Sequence, residues 1–336
     1  MKGMKIISLF LIIIIIEAVN LNAHSHWPVL KGPYLGQKPP GVIPEIFAPG
    51  IISGPFDERI SFFSPDGREF YYGLRGVPHT LVVYLSEKDG RWRQQETAFF
   101  SGKYFCEFSL SPDGNTIIYC SNQPENGDGP PEKTWRTWIV EKTGSKWGEP
   151  QVIDLDTGYP VLSSSKNLYF FNYRKNGDHD GQIYMVPYRD GYHSEPINIG
   201  NARNKINTPF HEVDPYIAPD ESYLIFCSNR KGGYGDADLY ICYKKRDGSW
   251  AEAKNMGATI NTKATEFCPS VTTDRKYLFF SSNRVIHQNY SPTPLPYEDK
   301  INALNSCGNG SNDIYWVDAG IIDVLRPKNL QQSEKQ

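Results

Sequence analysis

The apolar residues of this chain fall in short dense runs, each entered through a polar turn. FSLSPDGNTIIYCSN, residues 108–122, shows the pattern: a Ser-Pro-Asp-Gly turn, then an almost unbroken apolar run. Ser suits the first position of a type I turn, Pro presets the second, and Gly relieves the last. A short continuous run of this kind reads as a strand covered on both faces. The pattern recurs five times: FFSPDGREFYYG from Phe62, SLSPDGNTIIYCSN from Ser109, VLSSSKNLYFFNY from Val161, YIAPDESYLIFCSN from Tyr216 and SVTTDRKYLFFSSN from Ser270. The turns open at Ser64, Ser111, Ser163, Ala218 and Thr272, spaced 47 to 55 residues apart. The third and fifth copies have lost the Pro and the Gly, yet the strand behind each survives.

Every copy has a second half. A third strand follows at Thr80, Thr137, Gln182, Asp238 and Asp313. In the first four copies a turn comes next: DGRW (Asp89–Trp92), GSKW (Gly144–Trp147), DGYH (Asp190–His193) and DGSW (Asp247–Trp250). Asp-Gly is a hairpin signal, and a short fourth strand follows, as in EPQVIDL from Glu149. Each repeat is thus a four-stranded antiparallel meander the size of a propeller blade. The fifth copy runs into AGIIDVLRP without a fourth strand. PEIFAPGII, from Pro44, resembles the missing strand and is expected to complete the last blade, hiding an edge that would otherwise invite aggregation.

The expected fold is therefore all-β: a propeller of five four-stranded antiparallel blades, the last closed by an N-terminal strand. The blades span about 58–105, 106–157, 158–210, 211–264 and 265–326, with the closing strand at 44–52. They form one domain over 26–329, and 330–336 is a disordered tail. Six blades is the alternative, with residues 286–312 the place where another could hide. The SPDG strands, CSNR (Cys227–Arg230) and GDADLY (Gly235–Tyr240) resemble the WD40-like PD40 repeat of the TolB-type β-propeller proteins of bacterial envelopes. The resemblance covers about Gly54 to Asp318. It implies a six-bladed ring in the family at large, against the five copies counted here, and it speaks to fold more than to function.

Composition agrees with strands. The chain has Tyr 21, Phe 17 and Trp 7 and a net charge of -3, and β-sheets favour aromatics. That charge points away from a nucleic-acid partner. The first 25 residues have the form of a signal peptide: Lys2 and Lys5, an apolar run from Ile6 to Ile16, then small or polar residues through Ala23. The run is short of the roughly 20 residues that span a bilayer. A secreted or periplasmic monomer with no stable membrane insertion after cleavage is expected. Cys106, Cys120, Cys227, Cys242, Cys268 and Cys307 contain no Cys-x-x-Cys pair, and their spacing fixes no disulfide connectivity.

Aligning the copies on their first strand brings acids together. One position reads Ile60, Glu107, Tyr159, Asp214 and Cys268; two residues earlier it reads Glu58, Phe105, Thr157, Glu212 and Glu266. Residues two apart share a strand face, and first strands line a propeller's channel. Glu58, Glu107, Glu212, Asp214 and Glu266, with His211 beside them, are candidates for a cation or polar-ligand site at the channel mouth. The plain reading is solvated turn and capping acids. NGDHDG (Asn176–Gly181) starts like a calcium loop, with Asn176, Asp178 and Asp180 as ligands, but Pro187 stands where the bidentate Glu belongs. Calcium is the one cofactor this suggests. His79, His179, His193 and His211 occupy non-equivalent positions and read as surface histidines rather than a metal set. No Gly-x-Ser-x-Gly appears, which excludes a serine peptidase of that type. The recurrent Trp92, Trp147 and Trp250 read as blade packing, and QNYSPTPLPYED (Gln288–Asp299) as an exposed arm or lid.

No complete catalytic constellation emerges. The preferred reading is a non-catalytic binding or scaffold module for an envelope protein or a glycan. The alternative is a carbohydrate-active enzyme, a lyase or glycosidase, that uses paired carboxylates at the mouth.

Overall fold

The computed structural model describes residues 27–331 apart from 77–79, 102–103, 105, 126–128, 134, 174–178, 190, 193 and 287–293. The signal-like segment, His79, His193, Asn176 and Asp178 lie outside the described residues, as do the side chains of His179 and Asp180.

Five antiparallel sheets stand around one axis. Blade 1 is Asp57–Phe63, Glu69–Arg75, Thr80–Lys88 and Glu96–Thr97. Blade 2 is Cys106–Leu110, Thr116–Ser121, Arg136–Thr143 and Gln151–Ile153. Blade 3 is Gly158–Leu162, Leu168–Tyr173, His179–Val186 and Ile197–Asn198. Blade 4 is Glu212–Ile217, Tyr223–Ser228, Asp238–Tyr243 and Lys254–Asn255. Blade 5 is Glu266–Val271, Tyr277–Ser282 and Asp313–Asp318, completed by Glu45–Ile46 from the N-terminal side, with Glu45 opposite Trp316 and Ile46 opposite Tyr315. The fold is thus a five-bladed propeller closed by an N-terminal strand.

The Ser-Pro-Asp-Gly turns fold as their chemistry predicts. Ser64 Oγ donates to Asp66 at 2.6 Å and accepts from the Glu69 amide, while the Gly67 amide closes the turn on Ser64 O at 2.8 Å. Ser111 with Asp113, and Thr272 with Asp274, repeat the arrangement. The fourth turn position is left-handed in every blade: Gly67, Gly114, Lys166, Glu221 and Arg275 have φ of 68°, 71°, 60°, 58° and 59°. Glu221 shows why one copy lacks the glycine. Its carboxylate accepts from Ser163, Asn167 and Tyr169 of blade 3 and from Lys244 of its own blade, so it staples two blades together.

Closure is tight. Phe47, fully buried, packs its ring 5.1 Å from Phe70 and Phe279 and 5.2 Å from Trp316, tying the N-terminal strand to blades 1 and 5. Upstream, Trp92 of blade 1 donates from its indole to Gly32 O and from its amide to Leu30 O. AGIIDVLRP is not a strand but holds the helix Gly320–Leu325, whose Ile322 is buried against blade 4. The long insertion of blade 5 holds a second short helix, Tyr297–Leu304. Cys120 is buried, and Cys227, Cys242, Cys268 and Cys307 are free thiols, the first three of these four buried.

Candidate functional site at the ring axis

The antiparallel order puts the blade-to-blade connections and the second-to-third-strand loops on one face, here called the front, where the aligned acids begin. Four first strands share a defect there. The register shifts between Arg59 and Ser61, Gly158 and Val161, Val213 and Tyr216, and Phe267 and Ser270. The extra residue is left-handed each time: φ is 55° at Ile60, 45° at Tyr159, 51° at Asp214 and 49° at Cys268. A bulge bends its strand and re-aims one side chain. None of these four is glycine, so each is held there by its surroundings. Blade 2 runs in unbroken register, with Glu107 at the equivalent place.

The two acids of this ring have the same job. Glu107 Oε2 accepts from the Tyr159 amide at 3.2 Å, capping the bulge of the next blade. Asp214 accepts from the backbone amide and, at 3.5 Å, from the thiol of Cys268, again the next blade's bulge. Arg59 lies between them. Its Nη2 is 3.2 Å from Glu107 Oε1, its charge acts on Asp214 as well, and its guanidinium stands 5.4 Å from the Phe267 ring centre. Burial, then the nearby Asp214 charge, pushes Glu107 up to about 7, with Arg59 pulling the other way. Burial likewise raises Asp214. Ile60, Tyr159 and Cys268 are fully buried around this cluster. At the back end the axis narrows to a cleft of ≈ 40 Å³ lined by residues such as Phe62, Ser109, Val161 and Tyr216.

The other three acids sit further out and separate by environment. Glu212 and Glu266 are both 0% exposed. Glu212 accepts from the Thr208 amide and hydroxyl, from Ser228 and from Arg230 Nη2 at 3.0 Å. Glu266 repeats this with Thr262, Ser282 and Arg284 Nη2 at 3.1 Å. Each guanidinium also lies over an aromatic ring, 4.4 Å from the Tyr240 centre and 4.5 Å from that of Tyr315, a favourable cation–π placement. Glu58, the third member, accepts from the Gly54 amide at 3.2 Å, and no cation pairs with it among the described residues. Burial pushes it up to about 7, with the Asp313 and Asp57 charges adding to the rise. His211 is exposed, its amide held by Asn229.

Alignment thus names the acids, and the structure divides them. Glu107 and Asp214 meet through Arg59, while Glu58, Glu212 and Glu266 each stay within a blade seam. The cations Arg59, Arg230 and Arg284 were not among the sequence-derived site residues. A signal exists for two of them: Ser-Asn-Arg recurs at 228–230 and 282–284, each Arg 18 residues after its Glu. Arg59 has no such repeat, because the equivalent positions in the other blades are Cys106, Gly158, Val213 and Phe267. No group of three His, Cys, Asp or Glu able to hold a metal ion occurs among the described residues.

The sequence matches no family model, and it matches no curated protein. Solved structures give likenesses of architecture. TolB from Acinetobacter baumannii is 12% identical with a TM-score of 0.46, over 78% of this chain and 54% of that one, so this chain spans about half its length. A putative TolB from Agrobacterium tumefaciens is 15% identical with a TM-score of 0.46, over 78% and 90%. An oligogalacturonate lyase in complex with manganese is 12% identical with a TM-score of 0.40, over 88% and 98%. The five-bladed propeller is read from the chain's own sheets.

Proposed function

We propose that this protein is an exported, non-catalytic binding scaffold that engages an envelope protein through the front face of the ring. One observation carries the reading: four of the five aligned acids are spent on the ring itself. Glu107 and Asp214 cap the next blade's bulge, and Glu212 and Glu266 are neutralised by arginines of their own blades. What remains for a ligand is surface, and the fold prescribes no chemistry of its own. The connections on the front face carry exposed large apolar side chains: Phe56 is 62% exposed, Tyr297 80% and Ile286 51%. Exposed apolar clusters with polar rims mark interaction sites. The basic, then apolar, N-terminal sequence supports export.

One feature favours the glycan-enzyme alternative. A carboxyl raised to about 7 beside a second carboxylate is suited to proton transfer near neutral pH. One experiment separates the two readings. The immobilised full chain is exposed to an envelope extract, and the same preparation is assayed on a panel of polysaccharides. Retention of a defined protein by the wild type, lost in Phe56→Asp/Tyr297→Asp, supports the scaffold. Turnover of a polysaccharide that disappears in Glu107→Gln or Asp214→Asn overturns it.

A further inference from the structure

The two seams flanking blade 5 begin from the same plan and end differently. At the seam between blades 4 and 5, Asp238 accepts from the amides of Tyr234 and Gly235 and from Asn255. Its neighbour Glu266 has Thr262, Ser282 and Arg284. At the seam between blades 5 and 1 the corresponding acids are Asp313 and Glu58. The strand register shows what has replaced their partners. Ile46 stands where Asn255 would, since it pairs with Tyr315 as Asn255 pairs with Tyr240. Leu74 stands in place of Ser282, and Gly76, two residues on, in place of Arg284. Gly54, four residues before Glu58, replaces Thr262.

Two carboxylates are therefore left short of donors where the ring closes. Asp313 is 0% exposed and Glu58 2% exposed. Asp313 Oδ2 accepts from the Gly308 amide at 2.7 Å, but Asp313 Oδ1 is buried with no hydrogen bond among the described residues. No ion pair reaches either acid among the described residues, and the two are near enough for their charges to repel. A buried, unpartnered carboxylate oxygen is costly unless a proton or a cation answers it. A short loop covers the pair: Asn309 donates to Pro55 O, Asn312 to Asp57, and the Glu58 amide to Asn312 O. Half-buried Cys307 begins that loop.

We infer that the closure seam binds one divalent, oxygen-preferring cation, with Asp313 and Glu58 as its anionic ligands. The size of the opening selects the occupant. At these exposures an arginine from a partner protein cannot enter as Arg284 does from within the chain, whereas a single ion can. Charge selects the valence, since two carboxylates are offset by one divalent ion. Hard cations of the calcium type accept carboxylates together with neutral oxygens. The ion would hold the first and last blades together, as Arg284 ties Glu266 to Ile260 O of the blade 4–blade 5 connection one seam away.

The test uses the full chain after chelator treatment, at pH 8. Calcium chloride is titrated while thermal unfolding is followed, with magnesium, manganese and zinc chlorides in parallel. A saturable upward shift of about 5 °C at one hundred times Kd is expected. Asp313→Asn and Glu58→Gln are expected to weaken calcium binding at least about ten-fold, and Glu96→Gln, exposed and remote, to leave it unchanged. Should either seam variant fail to fold, terbium luminescence on the wild type gives a second measurement, with calcium expected to displace the terbium. No shift with any of these ions and no displaceable terbium overturns the inference. So does a calcium response that survives in both folded variants. A response to zinc alone, lost in Cys307→Ser, also overturns it.

Discussion

Replacing Phe47 by alanine tests whether the N-terminal strand holds the ring shut. The strand's pairing with blade 5 is only two residues long, Glu45 and Ile46 against Trp316 and Tyr315. So short a ladder supplies little alone, and the side chain behind it must supply the rest. Phe47 is fully buried and touches four aromatic rings: Phe70 and Phe279 at 5.1 Å, Trp316 at 5.2 Å and Phe63 at 5.9 Å. Truncating a buried Phe to Ala costs about 3–5 kcal/mol, from lost transfer energy and the cavity left behind. The surrounding rings are held by two different blades and cannot easily collapse into the space, so the upper half of that range is expected. For a chain of this size about 4 kcal/mol corresponds to a fall in Tm of roughly 6 °C. Urea denaturation followed by tryptophan fluorescence measures it, since Trp316 lies against the deleted ring. Phe56→Ala, mostly solvent-exposed, serves as the control and should change stability by no more than about 0.5 kcal/mol. A loss under about 1 kcal/mol for Phe47→Ala would refute the closure argument.

Two further outcomes are expected. Arg284→Met should cost about 3 kcal/mol in chemical denaturation, because it strands the fully buried Glu266 without its cation; Arg284→Met/Glu266→Gln should recover a large part of that loss, and a double variant no better than the single would count against the pairing. Glu107 sets a pH dependence: its folded value of about 7 lies above the 4.5 of a free carboxylate, so the folded state binds this proton more tightly and stability falls as pH rises from 4.5 to 7. Glu107→Gln should flatten that slope in Tm measured from pH 5 to pH 8, and an unchanged slope would show that the proton is held elsewhere.

Much of the fold was legible because its determinants are local. Turn chemistry at Ser64–Gly67 and Ser111–Gly114 acts within four residues, and the apolar runs behind the turns declare buried strands. Even the closing strand could be read, since a blade lacking its fourth strand and a spare strand at the far end imply each other. The helix Gly320–Leu325 was not foreseen. It is a single short stretch whose one fully buried residue, Ile322, finds its partners on blade 4 rather than in its own neighbourhood.

The candidate site divides the same way. The sequence by itself determined which carboxylates stand at the start of the first strands, because the repeat alignment fixes those positions. Only the tertiary structure decided what each one does. Arg59 meets Glu107 across 48 residues, Asp214 caps Cys268 across 54, and Asp313 comes beside Glu58 only when the two ends of the chain join. A carboxylate's role depends on the charge and the donors within a few ångströms of it, and for Glu107 and Asp214 those come from neighbouring blades, which no local pattern records.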